Sequence, residues 1–219
     1  MFILERIDAP VDEPVSLTEL EVHLRTFASD TSEDGLLNSL ISVAREWAEE
    51  YTGRALLAQK WRLTIDSQYG GTIAPMPADS VSGFTPGYYC GASSFKNGEI
   101  MLRRSPVVAI TKFVSVDAAG AETDVPAEQY SLREKDSKWP RVVPLGGANW
   151  SIGTFRVEFT AGFADEDAVP QSFKSAIKLH AEAFYDRDPE MIKLLIGDDE
   201  KPGILQGMLK AERANLSIA

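Results

Sequence analysis

The spacing of apolar residues changes twice along the chain, and these changes constrain the fold more than any other feature. Residues 32–54 carry apolar side chains at every third or fourth position, which is typical of one face of an α-helix. From Gln59 the interval becomes two, as in a half-buried strand, and after Pro170 the helical interval returns. The sequence therefore predicts an α+β fold. An N-terminal helix pair and a C-terminal helix pack together, with a small antiparallel β sandwich or barrel-like unit between them.

The N-terminal quarter of the chain predicts an arm followed by two helices. Two prolines exclude a helix from residues 1–15, which we interpret as an N-terminal arm. Ser16 and Glu19 have the spacing of a capping box, in which a hydroxyl and a carboxylate satisfy free N–H groups at a helix start. Gly53 is a favourable stop for the second helix. Residues 16–54 are therefore predicted to form the helical part.

The middle of the chain, residues 55–166, predicts an antiparallel β unit. Its segments alternate apolar and polar residues, and the sequence DAAGAETD between two of them has the glycine and acidic content of a hairpin loop. The predicted strands are residues 60–66, 99–104, 109–117, 129–134, 141–145 and 154–162.

A long loop, residues 67–98, interrupts this β unit. It contains six glycines and three prolines but almost no charged residues. One interpretation is a disordered surface loop. The other is a projecting loop whose aromatic side chains become buried against another chain. In the second case the contact residues are Phe84, Tyr88, Tyr89 and Phe95.

The C-terminal part predicts one core helix and a tail. The core helix lies in residues 167–188, and residues 189–219 form the tail, which offers a short amphipathic helix. We expect one compact domain over residues 16–188. The apolar residues of the tail helix are Ile204, Leu205, Met208 and Leu209.

Composition excludes several classes of protein. No run of eighteen apolar residues is present, so no membrane span is predicted, and the N-terminus lacks the basic and apolar regions of a signal peptide. The single cysteine, Cys90, excludes an intrachain disulfide and a cysteine-based zinc cluster. A net charge of −11 disfavours adhesion to DNA phosphates or to anionic lipid.

No motif in the sequence predicts catalysis. The chain has no Gly-rich phosphate-binding loop, no G-x-S-x-G turn and no H-E-x-x-H. His180 lies on the apolar stripe of the core helix, where a core or interface histidine is more common than a general base. The acidic clusters at residues 165–167 and 198–200 lack the alternating spacing of a calcium loop. We therefore expect no enzyme, no metal ion and no cofactor.

Six segments, taken in order, carry a resemblance that covers roughly residues 15–187. They are VSLTELEVHLR, AREWAEEYTGRAL, QKWRLTID, EIMLRRSPVVAITKFVSVDAAGAET, YSLREKDSKWPRVVP and VEFTAGFADEDAVPQSFKSAIKLHAEAFYDR. The helix end YTGR at residues 51–54 and the turn TAG at residues 160–162 are the most informative. The whole resembles the head–tail connector (adaptor) family of long-tailed bacteriophages and gene-transfer particles. Residues 67–98 depart from it, because family members usually have a short connection there.

The resemblance implies a structural role in the virion neck. Such proteins form a ring, typically a dodecamer, beneath the portal, where they extend the DNA channel and attach the neck stopper or tail-terminator protein. DNA passes through the channel without specific binding, no membrane is involved, and assembly takes place in the host cytoplasm. The net charge predicts an acidic channel that repels DNA. The residues expected to dock the tail on the portal are Ile204, Leu205, Met208, Leu209 and Arg213.

Three other interpretations remain open at the level of the sequence. The first is another ring protein of the neck or a tail-completion protein, although those are more purely β in character. The second is a carbohydrate-binding β module, for which exposed Trp139 and Trp150 could serve as stacking platforms. The third is a hydrolase with a paired carboxylate site that spacing alone does not reveal.

Overall fold

The computed structural model describes residues 2–26, 31–66, 95–96, 99–146, 153–197 and 201–213. The contacts among these residues divide them into two compact units. The β unit comprises the described residues of Met1–Ala9 and Gln59–Gly162, and the helical unit those of Pro10–Ala58 and Phe163–Ala214. Both helices and antiparallel sheets are present, so the predicted α+β class is confirmed.

The larger sheet of the β unit has five antiparallel strands in the order β1-β2-β9-β5-β6. The sheet forms because apolar and polar residues alternate along its strands: in β2 and β9 every second side chain is buried. β2 and β9 pair without a register shift over eight residues, whereas β5 meets β9 through two bulges. The strands are β1 (Phe2–Asp8), β2 (Gln59–Asp66), β5 (Val107–Val116), β6 (Glu122–Asp124) and β9 (Thr154–Ala161).

A second antiparallel sheet completes the β unit, with the strand order β3-β4-β8-β7. An aromatic contact connects the sheets: the Phe113 ring of the larger sheet lies 5.2 Å from the Tyr130 ring of the second sheet, and 6.0 Å from the Phe155 ring of its own sheet. The described strands do not close into a barrel, which favours the sandwich form of our prediction. The strands are β3 (Phe95–Lys96), β4 (Glu99–Met101), β7 (Tyr130–Arg133) and β8 (Arg141–Pro144).

The first helix begins, and the second ends, where the sequence predicted. The Ser16 hydroxyl accepts a hydrogen bond from the Glu19 N–H, and the Glu19 carboxylate accepts one from the Ser16 N–H, so the capping box is present. Gly53 closes the second helix in the left-handed conformation, with a φ of 72°. The helices are α1 (Leu17–Leu24) and α2 (Asp34–Thr52).

Three further helices complete the helical unit: α3 (Gln171–Asp186), α4 (Pro189–Ile196) and α5 (Ile204–Leu209). α3 packs its predicted stripe on α2, and Phe173, Ala176 and Ile177 are fully buried there. α4 begins at Asp188, whose side chain accepts hydrogen bonds from the next two backbone N–H groups.

Three elements were absent from the sequence interpretation. The predicted arm contains a strand, β1, which forms because it pairs with β2, a strand that is distant in the sequence. β6 lies within the segment interpreted as a hairpin loop, and α4 lies within the segment interpreted as a tail. All three are short and depend on tertiary contacts, which outweigh local propensity.

Candidate assembly surfaces

The described residues contain no group of histidine, cysteine, aspartate or glutamate side chains that could hold a metal ion. In that same part of the chain, no helix is sufficiently long and apolar to cross a membrane. One open groove of the helical unit, about 710 Å³ in volume, is lined by several carboxylates. Glu13, one of them, is already hydrogen-bonded to Arg45 and Ser42, so the groove contains no convergent set of free ligands.

The helix end YTGR fixes the C-terminal segment to α2. The Tyr51 hydroxyl donates to the Gln206 carbonyl over 3.0 Å, and the Arg213 guanidinium lies 5.1 Å from the centre of the Tyr51 ring. The Arg54 guanidinium donates to the Glu212 carboxylate. A motif that the sequence singled out without assigning it a role therefore holds α5 and the residues after it.

A buried ion network around Arg45 holds the segment before α1. Arg45 Nε donates to Glu13 over 2.8 Å and Nη1 to Glu49 over 3.0 Å, and the Glu49 carboxylate also accepts from the Leu56 N–H. Burial alone would lower the pKa of Arg45, but the adjacent Glu49 and Glu13 carboxylates outweigh it and raise that pKa. This network was not visible in the sequence, because i,i+4 spacing of Arg45 and Glu49 does not reveal burial.

His180 is a core residue, as its place on the apolar stripe indicated. It is 2% exposed and its ring lies 5.3 Å from that of Trp47 and 4.8 Å from that of Phe184. Its Nδ1 has no hydrogen-bond partner. Burial lowers the pKa of His180 to about 4, so the ring is neutral at physiological pH. No nucleophile or second titratable group is arranged with it for catalysis among these contacts.

The residues predicted to dock the tail divide into two sets. Leu205 and Leu209 are fully buried in the core of the helical unit, because they face α3. Ile204 and Met208 lie on an adjacent face of α5, about 100° around the helix, and are 48% and 36% exposed. Arg213 is exposed beyond its contact with Tyr51. A partner can therefore reach only one face of this helix in the folded chain.

The predicted aromatic contact residues are mostly outside the described part of the chain. Phe84, Tyr88 and Tyr89 lie in the undescribed residues 67–94, and Phe95 begins β3. Of the two tryptophans considered for sugar stacking, Trp139 is partly buried rather than exposed, and Trp150 is outside the described residues. The acidic turn before α3 is exposed, and Asp165 accepts a hydrogen bond from the Ala168 N–H there.

Charge is distributed unequally between the two units. Among the described residues, the β unit contains twelve basic and eleven acidic residues, whereas the helical unit contains ten basic and seventeen acidic residues, a net charge of −7. In the β unit, ion pairs cross the outer face of the larger sheet: Arg62 binds Glu158 over 2.8 Å, and Lys112 and Arg156 bind Glu122. The surface of the helical unit therefore favours basic partners, whereas that of the β unit has no strong preference by charge.

Comparison with known proteins provides independent information. A family model described as Phage gp6-like head-tail connector protein matches residues 15–79, which include α1, α2 and β2. No curated protein matches the chain significantly.

Solved structures match nearly the whole chain. A subunit of the virion of native gene transfer agent (GTA) particle is 26% identical, with a TM-score of 0.67. Subunits in the neck of empty GTA particle computed with C6 symmetry and in the neck of native GTA particle computed with C12 symmetry are each 25% identical, with TM-scores of 0.66 and 0.60. Each of these matches covers 96% of this chain and 94% of the other.

Proposed function

We propose that this chain, which is similar to gp6-like head–tail connector proteins, forms the adaptor ring joining the portal to the rest of the neck. Its role is structural, and it acts as a ring oligomer in the neck of a virion or phage-like particle. The observation that carries this conclusion is the match to neck subunits over 96% of the chain, with a TM-score of 0.66. By analogy with the neck computed with C12 symmetry, we propose twelve copies.

The proposed portal contact is the outer face of α5. Ile204 and Met208 are large apolar side chains that the helical unit leaves exposed, and Arg213 follows them on the same segment. The contacts of Tyr51 and Arg54 hold this segment in one position, which reduces the entropy lost on binding. A fixed apolar face with an adjacent guanidinium suits a protein interface, where apolar residues and arginine are enriched.

A second proposed contact involves the aromatic residues of the long loop. Phe84, Tyr88, Tyr89 and Phe95 belong to a segment of low charge, and aromatic side chains contribute large contact areas at interfaces. We assign them to a neighbouring copy, or to the neck stopper or tail-terminator protein. Deletion of the loop should then impair particle assembly while the β unit still folds.

The charge distribution supports a channel that repels DNA. Each chain carries a net charge of −11, so twelve copies carry about 130 negative charges in total, and the described residues of the helical unit contribute −7 per copy. We propose that acidic side chains of the helical unit line the channel, and that DNA passes without being held. The role needs no catalysis, metal ion or cofactor, and we propose that assembly takes place in the host cytoplasm.

The mass of the purified chain, alone and with its cognate portal, tests this function. Light scattering and negative-stain imaging should show rings, either for the free chain or on the portal. A chain that stays monomeric and ignores the portal would remove the adaptor assignment. Ile204→Glu should weaken attachment to the portal, whereas Val43→Glu, at an exposed apolar site of α2, should leave it unchanged. The comparison separates a loss of portal attachment from a general effect of the added charge.

A further inference from the structure

α4 has more apolar surface than its own unit covers. Five of its eight residues are large and apolar. Leu195 is buried and Ile192 packs against the core, whereas Met191 and Leu194 are 41% and 57% exposed. The two exposed side chains are three positions apart and therefore share one face of the helix. A helix whose apolar surface extends beyond the face that its own core covers is normally covered there as well.

The β unit has an apolar surface of its own at the edge of its larger sheet. β1 is the edge strand and pairs only with β2 among the described strands. Ile3 and Ile7 on this strand are 46% and 39% exposed. An edge strand with exposed apolar side chains is a site at which another chain readily docks.

Symmetry and charge determine which surfaces meet in a ring of identical copies. Such a ring closes by a heterologous contact, in which one patch of a copy meets a different patch of the next copy. Two helical units in contact would bring together two acidic surfaces, each with a net charge of −7 over its described residues, while the described residues of the β unit carry a net charge of +1. The exposed face of α4 is therefore best placed against the β unit of the neighbouring copy.

We propose that Met191 and Leu194 of α4 pack against Ile3 and Ile7 of β1 in the next copy of the ring. This inference rests on the proposed function only in requiring that the copies form a ring. All four side chains are apolar and exposed in the single copy, so the contact would remove apolar surface of both copies from water.

Cross-linking of an assembled neck tests the contact. In a Cys90→Ala background, Leu194→Cys and Ile3→Cys are combined in one chain, rings are formed with the cognate portal, and the sample is oxidised. A ladder of covalent multimers on a non-reducing denaturing gel is expected for this pair. The matched control replaces Leu194→Cys by Val22→Cys, an exposed apolar residue of α1, and should give at least tenfold less cross-linked product.

A second measurement covers the case in which cysteine itself weakens the contact. Leu194→Glu should reduce the yield of rings at least tenfold while its circular dichroism and its urea midpoint stay those of the parent chain, and Val22→Glu should assemble normally. If rings form but give no ladder of cross-linked multimers, and Leu194→Glu forms rings in the same yield as the parent chain, the proposed contact is wrong while the adaptor function stands. A parent chain that forms no ring with its portal overturns the function itself.

Discussion

The buried histidine of the helical unit makes its stability depend on pH. His180 is 2% exposed and lies between Trp47 and Phe184, and burial lowers its pKa from 6.5 to about 4. Because the folded-state pKa is depressed, the unfolded chain binds the proton more readily between these two values. The stabilising contribution is therefore complete above about pH 6.5 and is lost as the pH falls toward 4.

The size of the effect follows from the two pKa values. Proton linkage gives a loss of about 2 kcal/mol of unfolding free energy between pH 7 and pH 5, and about 3 kcal/mol by pH 4. Carboxylates titrate over the lower part of this range, and the neighbouring Glu182 contacts His23. A single pH profile would combine all of these contributions, so the measurement must be a difference between two variants.

The assay compares the parent chain with His180→Leu. Urea unfolding is followed by far-ultraviolet circular dichroism at pH 7, 6 and 5. The free energy of the parent chain should fall with pH by about 2 kcal/mol more than that of the variant, whose residue at this position does not titrate. Glu182→Gln provides the control for the adjacent carboxylate, and it should leave most of the difference in place. Parallel pH profiles for the parent chain and His180→Leu would refute the reasoning, because they would mean that the imidazole is solvated or finds a proton acceptor.

Three further perturbations test individual contacts by urea unfolding. Arg45→Met leaves buried carboxylates unpaired and should cost about 3 to 5 kcal/mol, whereas Glu46→Gln, at an exposed carboxylate, should change the free energy by less than about 1 kcal/mol; equal effects would contradict the buried network. Ser16→Ala removes the capping box of α1 and should cost about 1 kcal/mol, and an unchanged midpoint would show that this cap does not stabilise the helix. Gly203→Ala places a Cβ 2.3 Å from backbone atoms of the α4 end and should cost about 2 kcal/mol, while Gly207→Ala, with open space around its Cβ, should stabilise α5 slightly; the reverse order would contradict the close approach of the two segments.

The elements predicted correctly from the sequence are those with a local cause. The capping box at Ser16 needs only Glu19, the end of α2 needs only Gly53, and the alternation of β2 and β9 is visible within each strand. β1 could not be predicted in this way, because its charged residues weaken the alternation and its stability comes from a distant partner, β2.

The candidate surfaces were only partly predictable for the same reason. The sequence identified the apolar residues of α5 but not which of them face inward, since that depends on where α3 and α2 lie. Leu205 and Leu209 are consequently core residues, and the exposed face belongs to Ile204 and Met208. The ion network of Arg45 and the contacts of the YTGR end join residues far apart in the chain, so spacing could not reveal them.

Each unit is assembled from two separate stretches of the chain, and this has a consequence for synthesis on the ribosome. β2 emerges early, but its neighbour β9 and the core helix α3 emerge only in the last third of translation. The buried faces of α2 and of β2 therefore remain uncovered until then, and non-local contacts of this kind form slowly. A nascent chain interrupted before α3 lacks the core of the helical unit, and so only copies translated almost to the end acquire a surface that can enter a ring.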